Sequence, residues 1–486
     1  MPRRTTTLPL VLFPRKVLVT AHHWLCAALR EAILERRLAP GTRLPSTREL
    51  AGEYALARGT VVTAFEQLES EGYLKMRGGS GTFVNDVLPD ELLQVGRRTE
   101  PADSVRPSVR HLSRLARRAQ GFPALPATRP RAFRTNLPAV DLFPAAVWAQ
   151  MSARRLRRSA RSLIVSCPAA GHGPLREAIA DYLKASRGVR CAAEQVLVVS
   201  GVQEALDLAC RVLLDPGDEV CAENPGYVGA IRLFDAVGAR VHALRVDADG
   251  MQLPRGRAGR ARLAYVTPGH QFPTGVAMSL ARRLALLEWA SKAGATIFED
   301  DYDSEYRYSG RPIPALQGLD SRGVVLFAGT FSKVLFPSIR LAYLVVPPDL
   351  IDRFSALKSL ASRHAPVIDQ AVLADFIVEG HFGRHIRRMR EVYAERLTAL
   401  VDEASRHLAG RLEVSHIEAG LQTPGWLAEG CAADVATAAA ARHVEVTPLD
   451  TCWRGRPARE GLLLGFAAVD PREIRRGIVE LAAVLD

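Results

Sequence analysis

Val324-Val325-Leu326-Phe327-Ala328-Gly329-Thr330-Phe331-Ser332-Lys333 decides the reading of the larger part of this chain. The first four residues form a short, continuous run of the kind that makes a strand covered on both faces. A glycine, two hydroxyls and a lysine follow, and Arg340 lies seven residues past the lysine. Hydroxyls and a guanidinium can hold a phosphate, and a lysine amine, unlike a guanidinium, condenses with an aldehyde. A lysine near a strand end is commonplace by itself, so the reading depends on what else reaches the same place.

Three other segments do. Ser200-Gly201-Val202-Gln203-Glu204-Ala205 joins the apolar run Gln195 to Val199 to an amphipathic helix, offering a glycine turn and helix N-terminal amides to a phosphate. Glu299-Asp300-Asp301-Tyr302 closes the strand-like run Thr296 to Phe298. Three consecutive carboxylates at a strand end repel one another unless a cation, such as a protonated pyridine nitrogen, sits among them. Asn224-Pro225-Gly226-Tyr227 ends a further run from Glu219 and brings an aromatic ring to the same sheet edge. Ligands of open α/β sheets bind outside the carboxyl ends of the strands, where these four segments converge.

From Ala132 onward, such runs alternate with amphipathic helices, which predicts an α/β domain with a mainly parallel sheet over 132–486. Residues 87–131 are rich in Arg, Pro and small polar residues and read as a linker with a helical patch around His111 to Arg118. The chain's 486 residues, 48% hydrophobic and 24% charged, suit a soluble protein of two or three domains. No apolar run approaches the roughly 20 residues of a membrane span. Arg3, Arg4, Pro14, Arg15 and Lys16 argue against a secretory signal. Seven cysteines with no close pairs give neither a disulfide framework nor a zinc pattern, so a reduced cytoplasm is expected. The net charge of +12 fits a polyanionic partner. Lysine is confined to Lys16, Lys75, Lys184, Lys292, Lys333 and Lys358 in an otherwise arginine-based chain, so each lysine invites a chemical explanation.

Residues 18–86 differ in texture. Trp24 to Glu35 carries Leu25, Leu29, Ile33 and Leu34 at helical spacing, and Ala39-Pro40-Gly41 ends it. In Leu44-Pro45-Ser46-Thr47-Arg48-Glu49-Leu50-Ala51, Ser46 and Glu49 are spaced for a capping box. In the next helix, Val61, Phe65 and Leu68 form a buried face, leaving Arg58, Thr60 and Thr63 at an exposed N-terminal end. Gly72-Tyr73-Leu74 begins a strand, and Arg77-Gly78-Gly79-Ser80-Gly81-Thr82 turns back into Phe83-Val84, making a hairpin wing.

From Leu25 to Val84 these residues resemble the winged helix-turn-helix of the GntR family of bacterial regulators. The resemblance implies binding to double-stranded operator DNA, with Ser46, Thr47, Arg48, Arg58, Thr60 and Gly79 as contact candidates. Ala55 stands where the family has a turn glycine, and Ala57 where it has a capping serine. Residues from Phe133 onward resemble fold-type I, pyridoxal-phosphate (PLP)-dependent aminotransferases, and most closely the MocR-like subgroup of GntR regulators. The matching runs include Asp141-Leu142-Phe143-Pro144, Gly173-Pro174-Leu175-Arg176 and His270-Gln271-Phe272-Pro273-Thr274-Gly275.

That resemblance implies a PLP-dependent transferase domain with a small C-terminal α+β subdomain. It gives Lys333 as the Schiff-base lysine, Asp300 as partner of the pyridine nitrogen and Tyr302 as partner of the ring hydroxyl. Tyr227 would stack on the ring, with Gly201, Val202, Thr330, Ser332 and Arg340 around the phosphate; Asp301 and Glu299 are the alternative nitrogen partners. Phe272 replaces the asparagine of ordinary aminotransferases, leaving the second ring-hydroxyl contact to Gln271 or His270. The strand Gly461 to Phe466 lacks their carboxylate-clamping arginine, with Arg454, Arg456 and Arg459 in the loop before it. A homodimeric regulator sensing an amine or amino-acid effector, or PLP itself, is expected; an active aminotransferase with a fused DNA-binding head is the alternative.

Overall fold

The structure is a computed structural model and describes residues 20–77, 80–88, 110–122, 129–308 and 313–486. It divides into two compact units, Met1–Arg110 and His111–Asp486. In the smaller unit, helices α1 (Ala21–Leu34), α2 (Thr47–Glu53) and α3 (Arg58–Ser70) precede an antiparallel hairpin of β1 (Leu74–Arg77) and β2 (Gly81–Val84). The core predicted from helical spacing is present: Leu25, Leu29, Ile33, Leu50, Val61, Phe65 and Leu68 are buried together. Leu34, read as part of that face, is exposed. The capping box also forms, with Ser46 Oγ accepting from Glu49 N and the Glu49 carboxylate accepting from Ser46 N. Ala57 caps α3 without a side-chain bond, and Ala55 holds φ +51°, a left-handed conformation that L side chains resist.

The larger unit is built on an eight-stranded sheet in the order β3-β10-β9-β8-β7-β4-β5-β6. Its strands are β3 (Val196–Val199), β4 (Glu219–Asn224), β5 (Arg240–Asp247), β6 (Gly250–Met251), β7 (Leu263–Val266), β8 (Thr296–Asp301), β9 (Val325–Thr330) and β10 (Ala342–Val345). Pairing is parallel from β5 through β9, while β10 runs antiparallel between β9 and β3, and β6 folds back on β5. The helix Val202–Leu213 covers one face, where Phe298, Tyr265, Ala328 and Leu344 are buried with Leu206 and Ala209. A second, antiparallel sheet orders β11 (Leu412–Val414), β12 (Gln422–Leu427), β14 (Gly461–Gly465) and β13 (Thr447–Pro448). This is the small subdomain.

One expectation needs adjusting. The acidic run does not follow its strand but belongs to it, because Asp300 and Asp301 pair with Ala328 and Gly329 of β9 and extend the ladder past Phe298. Of the stretch read as a linker, 87–131, residues 89–109 and 123–128 lie outside the described residues, and the helical patch expected around His111 to Arg118 is present. A short helix, Arg114–Arg118, capped by Ser113 Oγ, packs within the larger unit against the helix Val228–Val237. Arg232 of that helix donates to Gly121 O at 2.9 Å and lies over the Phe122 ring.

Candidate cofactor and DNA sites

Strands β3, β9, β8, β7 and β4 all end at one sheet edge, and that edge gathers the chemistry. Side chains alternate along a strand, so Glu299 and Asp301 face one way and Asp300 the other. Glu299 accepts the backbone N–H groups of Leu316 and Gln317, at 2.7 and 2.8 Å. Asp301 is held in a buried bidentate pair by Arg187, at 2.8 and 2.9 Å, and by Ser304. Asp300, on the face shared with Phe298, receives Tyr265 OH on Oδ2 at 2.5 Å, and its Oδ1 is buried with no partner. Of the three carboxylates only this one keeps an oxygen without a hydrogen-bond partner. Burial pushes its pKa up to about 7. A cationic donor opposite Oδ1 would return it to the carboxylate form.

Lys333 follows β9 and donates through Nζ to Asn136 O at 2.8 Å and Asn136 Oδ1 at 3.2 Å. Desolvation lowers its pKa to about 8, against the opposing pull of Asp303 and Asp300. Asn136 gave no local signal. It lies 197 residues away in the segment entering the domain, where Phe133 bridges Gly465, Arg134 pairs with Glu445 and Gln422 accepts from Asn136 N. That segment is fastened to the small subdomain.

At the other end of the cleft, Gly201 precedes the helix Val202–Leu213, and a Cβ on it would stand 3.2 Å from Arg340 Nη2. Antiparallel pairing through Ala342 puts Val199 and Thr330 beside the same residue, so the Gly201 turn and the Thr330–Ser332 turn are adjacent. Ser332 N donates to Thr330 Oγ1, while Ser332 Oγ is buried without a partner. Gly201, Val202, Thr330, Ser332 and Arg340 are thus neighbours at this end of the sheet edge. Tyr227 lies against the Tyr265 ring, with centroids 6.2 Å apart and planes at 29°, and donates to Gln203 at 3.3 Å. Tyr302 OH lies 3.1 Å from His270 Nδ1, and that nitrogen is also 3.1 Å from both oxygens of buried Asp303. Gln271, the other candidate beside Phe272, spends its amide on Glu223, Pro225 O and Phe272 O.

The late-loop arginines are partly accounted for. Arg454 pairs with Asp235, and its backbone brackets Asn224. Arg459 pairs with Glu413 and lies over Trp426, and Arg456 is exposed. In the helical unit, Ser46, Arg48 and Arg58 are exposed, whereas Thr47 and Thr60 are half-buried. Ser46 spends an acceptor site on its cap, which leaves its hydroxyl hydrogen to donate. Gly79 lies outside the described residues. No helix among the described residues is long and apolar enough to cross a membrane.

Comparison with known proteins agrees with both halves. Residues 25–84 match the family described as bacterial regulatory proteins, gntR family, and residues 133–446 match aminotransferase class I and II. The probable rhizopine catabolism regulatory protein MocR of Rhizobium meliloti is 41% identical over 95% of this chain and 93% of its own length. The HTH-type transcriptional regulator TauR of Rhodobacter capsulatus is 34% identical over 95% of this chain and 96% of its own. Among solved structures, LysN, an α-aminoadipate aminotransferase from Thermus thermophilus complexed with N-(5'-phosphopyridoxyl)-L-leucine, superposes with a TM-score of 0.67. It is 30% identical, covering 73% of this chain and 91% of its own. The chain therefore belongs to the MocR-like subgroup of the GntR family of bacterial transcriptional regulators, a winged helix-turn-helix joined to an aminotransferase-like domain of fold-type I.

Proposed function

We propose that this regulator holds PLP at the sheet-edge cleft and uses it to sense an amine or amino-acid effector, or PLP itself, in the cytoplasm. The observation that carries the reading is the unpartnered, buried Asp300 Oδ1, opposite a lysine whose amine is partly deprotonated near neutrality. PLP supplies an aldehyde that takes up an amine and a ring that draws electrons from it. Lys333 provides that amine, and Asp300 accepts the hydrogen of the pyridine nitrogen and keeps it there. Tyr302 donates to the ring hydroxyl oxygen and Tyr227 covers the ring face. The amides of Gly201 and Val202, with Thr330, Ser332 and Arg340, bind the phosphate at a helix N-terminus.

Ser46, Thr47, Arg48, Arg58, Thr60 and Gly79 contact operator DNA in a homodimer that presents two heads. Occupancy shifts the domain between conformers to the extent that the effector binds them unequally. The test is absorption spectroscopy of the purified chain with PLP, alongside gel shifts on upstream DNA with and without PLP. A visible band that appears in the wild type and is lost in Lys333→Ala supports the assignment. No band, or one that survives the substitution, overturns it. Steady-state amino transfer at roughly 1 per second or more would instead mark an aminotransferase with a fused head.

A further inference from the structure

We propose that Asp303 and His270 form a positioning pair that fixes Tyr302 as a hydrogen-bond donor toward the ring hydroxyl of the bound cofactor. The inference rests on the PLP reading above and adds two residues to it. Phe272 meets Tyr302 edge-on, with centroids 6.1 Å apart and planes at 83°, and offers no polar atom. The amide of Gln271 is turned away into Glu223 and Pro225. The direction of the Tyr302 hydrogen therefore decides whether that side of the cleft donates or accepts.

Asp303 is 1% exposed, and among the described residues its carboxylate has no hydrogen-bond partner except His270 Nδ1. A buried carboxylate requires a donor, so Nδ1 carries the hydrogen and gives it to Asp303. A ring nitrogen committed in this way has no lone pair to receive the phenol hydrogen of Tyr302, 3.1 Å away. The phenol oxygen can share the Nδ1 hydrogen, and its own hydrogen points elsewhere. Burial and the surrounding acids, Asp303, Asp300, Glu223 and Asp301, hold the phenol well above its usual pKa, so it remains a neutral donor. On the other side of the imidazole, Nε2 is buried without a partner, as expected of a ring whose tautomer is set from the Nδ1 side. Gly420 and Gly275 close over the ring: Cβ atoms there would stand 2.3 and 3.2 Å from His270 Cε1 and Nε2. The imidazole cannot turn away without moving both loops.

The experiment compares dissociation constants for PLP and for its 3-deoxy analogue, which lacks the ring hydroxyl, on the full chain. The ratio cancels effects transmitted through Lys333 or the phosphate. Asp303→Asn lets the imidazole take its hydrogen on Nε2, and the freed Nδ1 then captures the phenol hydrogen. The preference for PLP should fall about tenfold, the worth of one hydrogen bond. Tyr302→Phe should cause the same loss, and adding Asp303→Asn to it should change nothing more. Asp303→Glu, which keeps the charge, should restore much of the preference. Nitrogen NMR of labelled histidine in the wild type gives a reading independent of any variant's folding, and should find His270 protonated on Nδ1. An unchanged ratio in Asp303→Asn, or an Nε2-protonated tautomer, overturns the proposal. Failure of both PLP and the analogue to bind the wild type would reject the cofactor reading instead.

Discussion

Raising the pH from 6 to 10 while apo-protein is mixed with PLP tests the cleft at its most reactive atom. Condensation requires the neutral amine. With a pKa of about 8, some 9% of Lys333 is neutral at pH 7, against about 0.03% for a lysine at the usual 10.5, an advantage of about 300-fold. The rate at which the visible band grows should therefore rise tenfold per pH unit below about 8 and flatten above it. PLP reacting with a free lysine derivative should keep accelerating to beyond pH 10, which isolates the protein's share. The charged groups facing the amine are Asp303 and Asp300, and both pull its pKa upward. Asp303→Asn should move the midpoint below that of the wild type. A protein rate still climbing between pH 9 and 10 would refute the desolvation argument, as would a midpoint that rises when Asp303 is neutralised.

Other expectations follow from the same contacts. Asp300 has a folded pKa of about 7, raised from 3.8, so the native state binds its proton more tightly than the unfolded chain and wild-type stability falls as pH climbs between those values. Thermal melts of apo Asp300→Asn should therefore exceed the wild type at pH 8, with the gap closing toward pH 4, while the variant binds PLP poorly. Fully buried Lys358 bonds Glu204 Oε1 at 2.6 Å, and Glu204 in turn accepts from Ser200 N beside the Gly201 turn. Lys358→Met should cost about 3 kcal/mol in denaturant titrations and raise the dissociation constant for PLP, because the carboxylate loses its cation and keeps only Ser362 Oγ and Ser200 N. Ala55→Gly removes the strain at φ +51° and should stabilise the helical unit by about 1 kcal/mol, read as a higher melting transition. Arg58→Ala should weaken operator and random DNA alike and reduce the salt slope by about 1 in gel shifts at varied ionic strength.

What could be read from the chain followed physical range. Helix α2 and its capping box are local, spanning three residues, and the structure has them as expected. The strand positions were legible too, but their ends were drawn short wherever polar residues continued the ladder, as at Asp300 and Asp301. Strand alternation separates Asp300 from its neighbours in principle, yet the partners that occupy Glu299 and Asp301 come from Leu316, Gln317 and Arg187 and carry no local sign. The antiparallel direction of β10 depends on the chain returning between β3 and β9, which an apolar run does not encode. Asn136 is the extreme case, since its role exists only once the entry segment has been fastened to β12, β13 and β14.

The ten-residue helix Val228–Val237 has Tyr227 at one end and Gly238 at the other, where a Cβ would lie 2.3 Å from Arg118 of the docked segment. At 1.5 Å per residue the rod is about 15 Å long, far too short to flex. Moved as a rigid body, the helix would carry the Tyr227 backbone and the Gly238 tip together, like the two ends of a seesaw. The docked segment rests on that tip and along the rod's flank, so the helix has one end beside Tyr227 and the other against Arg118.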